Sequence, residues 1–265
     1  MKTVILIPAR HASTRYPGKP LVELTQPDGS RKRLIQMSWE AANRVKGVAE
    51  VHVVTDDDRI RAAAESFDAS VIMTSPECEN GTARCAEALE IRGIEADLIV
   101  NLQGDAPLTP HWFVEDLIAA MAEDDAAEVA TPVLRCDPLT YRHFVEDRQA
   151  GRVGGTTAVF DAQGHALYFS KQPLPYIAPG KVPEPVPVYH HVGVYAYRPR
   201  ALRAHATWPI SELEILEGLE QLRFLVNATT VRCVLVEGRG RVFWELNNPE
   251  DVPRIETALK DFPNA

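Results

Sequence analysis

The chain has 265 residues and no apolar run long enough to cross a bilayer, no internal repeat and no low-complexity tract. Cysteine is sparse. Cys78, Cys85, Cys136 and Cys233 are widely spaced and match no metal-ligand pattern, so they read as buried thiols of a reducing cytosol. Positive charge is also short: 28 Lys and Arg stand against 37 Asp and Glu, a net charge of -9. Such a balance argues against a nucleic-acid or anionic-membrane partner. The first residues read as running straight into a strand, Val4 to Ile7, without the h-region of a signal peptide, and the expected location is cytoplasmic. With 45% hydrophobic and 25% charged residues, the composition is that of a soluble protein with one large α/β domain or a main domain and a lobe.

In so acidic a chain, one stretch concentrates cations. After the strand-like run Val4–Ile7 come Pro8-Ala9-Arg10-His11-Ala12-Ser13-Thr14-Arg15-Tyr16-Pro17-Gly18-Lys19-Pro20-Leu21. Ala9, Ala12, Ser13 and Gly18 let the backbone turn closely, and Arg10, Arg15 and Lys19 supply forked donors and a point charge. A turn of this kind at the end of a first strand suits a polyphosphate. It is neither a Walker A loop, since Pro20 follows Lys19 and lacks an N–H, nor a GxGxxG loop.

Short apolar strands then alternate with helical patterns. Strands are expected at 51–56, 70–74 and 97–102, and helices at 34–45, 59–67 and 82–92, with a hairpin or exposed loop at 25–33. This alternation predicts parallel βαβ units with right-handed crossovers. Their carboxyl ends would gather the first loop, Asp56, Thr74 and Gln103-Gly104-Asp105. The second half reads differently: a helix over 112–121, strands over 129–134, 156–161, 166–170, 188–197 and 231–236, a proline-rich loop over 173–188, a helix over 211–225 with Leu213, Leu216, Leu219 and Leu222 on one side, and a last helix opened by Pro249-Glu250-Asp251. The expected fold class is α/β, a doubly wound, mostly parallel sheet of nucleotidyltransferase, Rossmann-like type with a smaller mixed β lobe. As a domain plan, residues 1–265 form a single unit: a nucleotide-binding core of about 1–135 plus the C-terminal helices, and an acceptor or dimer lobe of about 136–235.

On chemistry alone, Asp105 reads either as a magnesium ligand facing the cationic loop or as a turn residue before the helix near Pro110. His190 and His191 are a poor metal pair, because neighbours on a strand point to opposite faces. Glu214, Glu217 and Gln221 fall at helical spacing, either as acceptors for sugar hydroxyls or as a solvated acidic face.

Several segments carry a family resemblance. PAR-x-x-STR-x-PGKPL (8–21), Asn-x-Gln-Gly-Asp-x-Pro (101–107), the Gly81-Thr82-Ala83-Arg84 element, Ala166-Leu167-Tyr168-Phe169-Ser170-Lys171, His191-Val192-Gly193-Val194-Tyr195-Ala196-Tyr197 and the S-x-LE-x-x-E-x-LEQLR stretch over 211–223 resemble the CMP-Kdo synthetase (3-deoxy-manno-octulosonate cytidylyltransferase) family, over nearly the whole chain from Val4 to about Ile255. The resemblance implies coupling of CTP to Kdo, a 2-keto-3-deoxy sugar acid, with release of pyrophosphate, magnesium as cofactor, service to lipopolysaccharide or capsule synthesis, and a homodimer. It implies that Arg10, Arg15, Lys19 and Asp105 act in catalysis. Ala9, Arg10, Ser13, Arg15, Lys19, Thr74, Gly81, Arg84 and Gln103 would bind the nucleotide. Ser170, Lys171, His191, Tyr195, Glu214 and Gln221 would bind the acceptor, and Asp105 with Asn247 would hold the metal.

The chain departs from the family pattern at Ala83, Ala106, Thr157, His190 and Asn247. At Asn247 the family carries a metal-binding Asp. A neutral amide oxygen still ligates magnesium, more weakly, and Glu245 is a nearby substitute. These departures keep two alternatives open: a paralogue acting on another acid, such as amino-Kdo or a phosphonate, and a nucleotide-binding homologue without turnover.

Overall fold

A computed structural model describes residues 1–12, 16–104, 107–152, 155–240, 246 and 248–261. Its spine is β1 (Thr3–Ala9), buried along its whole length. Ile5 and Ile7 face one layer and Val4 and Leu6 the other, so the strand is sealed on both sides. That two-sided burial is why the run is continuously apolar rather than alternating. β1 pairs in parallel with β4 (Val48–Thr55) on one side and β6 (Leu98–Leu102) on the other, and β5 (Ser70–Met73) runs parallel outside β4.

The crossovers are α1 (Leu34–Asn43), α2 (Asp58–Glu65) and α3 (Gly81–Arg92). One layer packs Ile35 and Ala42 of α1, Ile60 and Ala64 of α2, and Phe113, Val114 and Leu117 of α4 (His111–Glu123). The opposite layer packs Cys85, Ala86 and Leu89 of α3 with Leu202 of α6 (Pro199–Thr207) and Phe224 of α8 (Leu222–Val226).

Beyond β6 the sheet turns antiparallel. β11 (Val194–Tyr197) lies between β6 and β7 (Val129–Arg135), followed by β10 (Tyr189–His191), β8 (Thr157–Phe160) and β9 (Ala166–Ser170). β12 (Val231–Leu235) pairs in parallel with β7. The strands of the second half thus extend the sheet that holds β1. A small separate hairpin, β2 (Glu23–Thr25) and β3 (Arg31–Arg33), closes at the Pro27-Asp28-Gly29 turn, where Gly29 takes φ +82°. No helix among the described residues is long and apolar enough to cross a membrane. The four cysteines are free, and burial pushes the Cys136 and Cys233 thiols up to about 12.

Two expected elements are each broken in two. The strand expected over 188–197 is β10 and β11, because the chain turns at Val192: the Val194 N–H donates to the Val192 carbonyl at 2.7 Å and the chain changes sheet neighbours. The helix expected over 211–225 is α7 (Glu212–Glu217) and α8, because Gly218 stops α7 at φ +62°. Leu219 and Leu222 are consequently buried while Leu213 and Leu216 are exposed, so the four leucines do not share one face. Two helices went unread in the sequence, α5 (Pro138–Gln149) and α6. Each starts with Pro in its first turn, and Asp137 caps α5 by accepting from the Thr140 N–H at 2.6 Å. Asp137-Pro138 was the available signal. Residues 249–251 form a 3-10 turn that leads into α9 (Val252–Asp261).

Asp57 caps α2, accepting from the backbone N–H of Arg59 and of Ile60. The Arg59 side chain, with these backbone donors, holds the Asp57 carboxyl at about 2, below its ordinary 3.8. A carboxyl lowered by folding contributes stability above its unfolded pKa and loses it as the pH falls toward the folded one. Asp57→Ala is expected to cost about 1 kcal/mol at neutral pH. In urea unfolding that deficit should shrink as the pH drops from about 4 toward 2; a deficit constant with pH would contradict the assignment.

Candidate active site

The parallel register places four strand exits along one edge of the sheet. Ala9 pairs with Thr55, and Thr55 with Met73, so the loop after β1, Asp56 and Thr74 leave side by side. Gln103 follows β6 on the other side of β1. This is the edge at which open α/β sheets take their ligands.

The first loop is folded back on itself. The Gly18 N–H donates to the His11 carbonyl at 2.9 Å, and Gly18 adopts φ +72°, a conformation that favours glycine. Lys19 then opens a 3-10 turn, Lys19–Leu21. Arg10 reaches across to the loop before α3, its Nη1 donating to the Glu79 carbonyl at 3.2 Å. Ser13 and Arg15, assigned to the nucleotide from sequence, lie outside the described residues.

Gly81 marks a close approach. A Cβ there would sit 2.9 Å from Gln103 Nε2 and 3.3 Å from Pro8, so the start of α3, the end of β1 and the Gln103 amide meet closely at this point. Arg84, one turn into α3, is buried and engaged from within: Nη1 donates to Thr74 Oγ1 at 2.6 Å, and Nη2 lies 3.1 Å from Asp56 Oδ1. Asp56 and Thr74 thus fix the direction of the guanidinium. Asn101 sits on β6 opposite Tyr195 of β11, and both of its amide atoms are buried with no partner among the described residues. An unpaired buried amide costs about 1–3 kcal/mol, which marks a position kept for something other than stability. The sequence reading gave Asn101 no role.

The residues assigned to the acceptor divide into two groups. His191 and Tyr195 come together, ring centroids 5.5 Å apart, with Phe169 at 5.1 Å from His191 on its other flank. Burial, then His190, pushes His191 down to about 3, so the imidazole is neutral. His190 points the opposite way, against Phe144, and a Cβ on Gly155 would collide with both.

The second group is engaged with the protein itself. Ser170 Oγ donates to Glu217 at 2.7 Å and the Lys171 backbone N–H to the same carboxylate at 2.9 Å, pinning the end of β9 to α7. Lys171 extends its ammonium over Gly218, where a Cβ would come within 2.8 Å of it. Glu214 is buried and held by Arg223 through a two-point contact, 2.6 and 2.7 Å, while Arg223 also approaches the carbonyls of His205 and Trp208. Glu214 therefore spends its oxygens on Arg223, which clamps α7 to α8, while Glu217, of the same helical spacing, turns to β9. Glu220 reaches the Thr82 N–H at 3.4 Å, and burial raises its carboxyl. Gln221 is buried with Nε2 unpartnered among the described residues. The acidic spacing could not distinguish these fates, because the partner Arg223 belongs to the next helix.

The expected metal donors, Asp105 and Asn247 with Glu245 as a substitute, lie outside the described residues. Their neighbours Leu108 and Leu246 belong to one buried cluster with Leu24, Leu34 and Ile255. A carboxylate and an amide oxygen are donor types that suit a hard cation such as magnesium.

Removing one partner of a buried charge pair leaves the other uncompensated. Arg223→Met is expected to destabilise the protein by about 3–5 kcal/mol, and Arg223→Met with Glu214→Leu to recover part of that loss, as read in denaturant unfolding. Additive losses would mean that the pair is not coupled.

Comparison with known proteins places this geometry. A family model described as Cytidylyltransferase matches residues 4–231. A 3-deoxy-manno-octulosonate cytidylyltransferase of Maricaulis maris is 38% identical over 256 residues, 97% of this chain and 96% of that one. An 8-amino-3,8-dideoxy-manno-octulosonate cytidylyltransferase of Shewanella frigidimarina is 37% identical over 260 residues, covering 98% and 99%. Among solved structures, a CMP:2-keto-3-deoxy-manno-octonic acid synthetase complexed with CTP superposes with TM-score 0.84 at 34% identity, covering 98% of this chain and 99% of that one. The doubly wound sheet, the strand exits on one edge and these full-length similarities lead to one conclusion: the chain belongs to the cytidylyltransferase family, and it is a nucleotidyltransferase.

Proposed function

We propose that this protein couples CTP to Kdo, giving CMP-Kdo and pyrophosphate, for lipopolysaccharide or capsule synthesis. The observation that carries the reading is the meeting of two half-sites on one sheet. The carboxyl edge of β1, β4, β5 and β6 gathers Arg10, Thr74, Gly81, Arg84 and Gln103, and the adjoining antiparallel strands bring His191 and Tyr195.

In this reading Arg10, Arg15 and Lys19 hold the triphosphate, and Gln103 and Arg84 the nucleoside. The anomeric hydroxyl of the sugar acid forms a bond to the α-phosphorus, the bond from that phosphorus to the α,β-bridging oxygen breaks in line so that pyrophosphate leaves with that oxygen, and the hydroxyl proton is released. Such chemistry asks the protein for positioning and charge stabilisation more than for covalent participation. Magnesium, when bound, would be held by Asp105 and Asn247 and would supply neutralisation of phosphate charge. A homodimer in the cytoplasm is part of the same proposal.

A second acceptor has support from the relatives, since one named for the 8-amino sugar is 37% identical over nearly the full chain. The deciding experiment is pyrophosphate release from CTP and Mg²⁺ with Kdo, with 8-amino-Kdo and with no acid. Release that depends on Kdo, with a higher kcat/KM than for the amino sugar and a loss of about 10²-fold or more in Asp105→Ala, is the expected result. A higher kcat/KM for the amino sugar would replace Kdo as the acceptor. CTP binding by calorimetry without release with either acid would identify a homologue that binds and does not turn over.

A further inference from the structure

His191 has two ring nitrogens, and the fold decides which one carries the proton. Thr131, fully buried on β7, places its Oγ1 2.9 Å from His191 Nε2, 2.9 Å from the Val194 carbonyl oxygen and 3.2 Å from the Val192 carbonyl oxygen. A hydroxyl has one proton to give and lone pairs to receive. Two carbonyl oxygens that close to a hydroxyl oxygen repel its lone pairs unless the proton is directed at them. The proton therefore points to the carbonyls, and a lone pair faces the imidazole. Nε2 must then carry the hydrogen and donate to Thr131, which leaves Nδ1 with a bare lone pair.

The break between β10 and β11 makes this clamp. Because the Val194 N–H turns back onto the Val192 carbonyl at 2.7 Å, the carbonyls of both residues converge on a single side chain of the neighbouring strand. In a regular strand the carbonyls of residues i and i+2 share one edge but stand about 6.8 Å apart along the chain, too far for one hydroxyl to meet both. The rings of Phe169 and Tyr195 flank the imidazole and keep it dry, so it stays neutral. A neutral ring with a bare Nδ1 repels a carboxylate and accepts from a hydroxyl. This chemistry separates the acid group of the substrate from the group that His191 recognises.

We propose that Thr131 is a positioning residue that locks His191 in its Nε2–H tautomer, so that Nδ1 accepts a hydrogen bond from a hydroxyl group of the sugar-acid acceptor. The inference rests on the reading of His191 as part of the acceptor half-site. Valine at 131 keeps the shape and removes the hydroxyl, and serine keeps the hydroxyl.

The test combines two-bond ¹H–¹⁵N NMR of the His191 ring in the ligand-free protein with KM values for the acid and for CTP in Thr131→Val and Thr131→Ser. The expected result is an Nε2–H ring in the wild type and in Thr131→Ser and a mixed tautomer in Thr131→Val. KM for the acid should rise about tenfold in the valine variant alone, as for loss of one oriented hydrogen bond, with KM for CTP unchanged. An Nδ1–H ring in the wild type would overturn the proposal, as would an acid KM untouched by valine or a parallel rise in both KM values. Failure of the wild type to use either acid would defeat the functional reading instead, and the ring spectrum would still test the lock.

Discussion

The structure depends on one constraint: β1 is buried on both faces and paired in parallel on both edges. A strand so enclosed has no freedom in register or direction, and its exit is fixed at a single edge of the sheet. Everything anionic that an acidic chain is to bind must be held locally, by the few cations placed at that exit. The left-handed Gly18 folds the first loop back so that its N–H meets the His11 carbonyl, and the missing side chain at Gly81 leaves space for the Gln103 amide and the Pro8 ring. The buried pair of Arg84 with Asp56 and Thr74 adds a fixed direction to a cation that would otherwise be mobile.

The second half of the sheet solves a different problem. It contributes few charges to the edge and instead presents a dry, aromatic wall around His191. The elements behind that wall are fastened by internal ion pairs and hydrogen bonds, Glu214 with Arg223 and Glu217 with Ser170 and the Lys171 backbone. Burying charge is costly unless it is paired with good geometry, and the two-point contact to Arg223 meets that condition. Two acids of the signature over 211–223, Glu214 and Glu217, are thus engaged within the fold. Glu214 ties α7 to α8 and Glu217 ties α7 to β9, while Gln221 Nε2 has no partner among the described residues.

Much of the first half was legible in the sequence. Strands buried on both faces write themselves as runs such as Val4–Ile7, and their alternation with helical patterns leaves few topologies. The placement of Thr74, Gly81 and Gln103 along one edge follows from that topology. The second half was less legible for physical reasons. Gly218 ends a helix that composition would continue, and the turn at Val192 ends a strand rich in β-branched residues, because tertiary pairing there outweighs local propensity. The roles of Glu214 and Glu217 depend on Arg223 and Ser170, partners in other elements that spacing cannot reveal. Thr131 carried no sequence signal of its own, and Asn101, although it opens the motif over 101–107, becomes notable only through what surrounds it.

The central claim is that nucleotide and acid occupy adjacent half-sites, one built by the parallel strands and one by the antiparallel extension. Hydrogen–deuterium exchange with CTP alone and then with CTP and Kdo tests it most directly. The account predicts that CTP protects peptides spanning residues 9–19, 74–84 and 101–104, and that Kdo adds protection over 168–172 and 189–195 while leaving the first set protected. Protection by CTP centred on the antiparallel strands, or an acid footprint confined to the first loop, would contradict it.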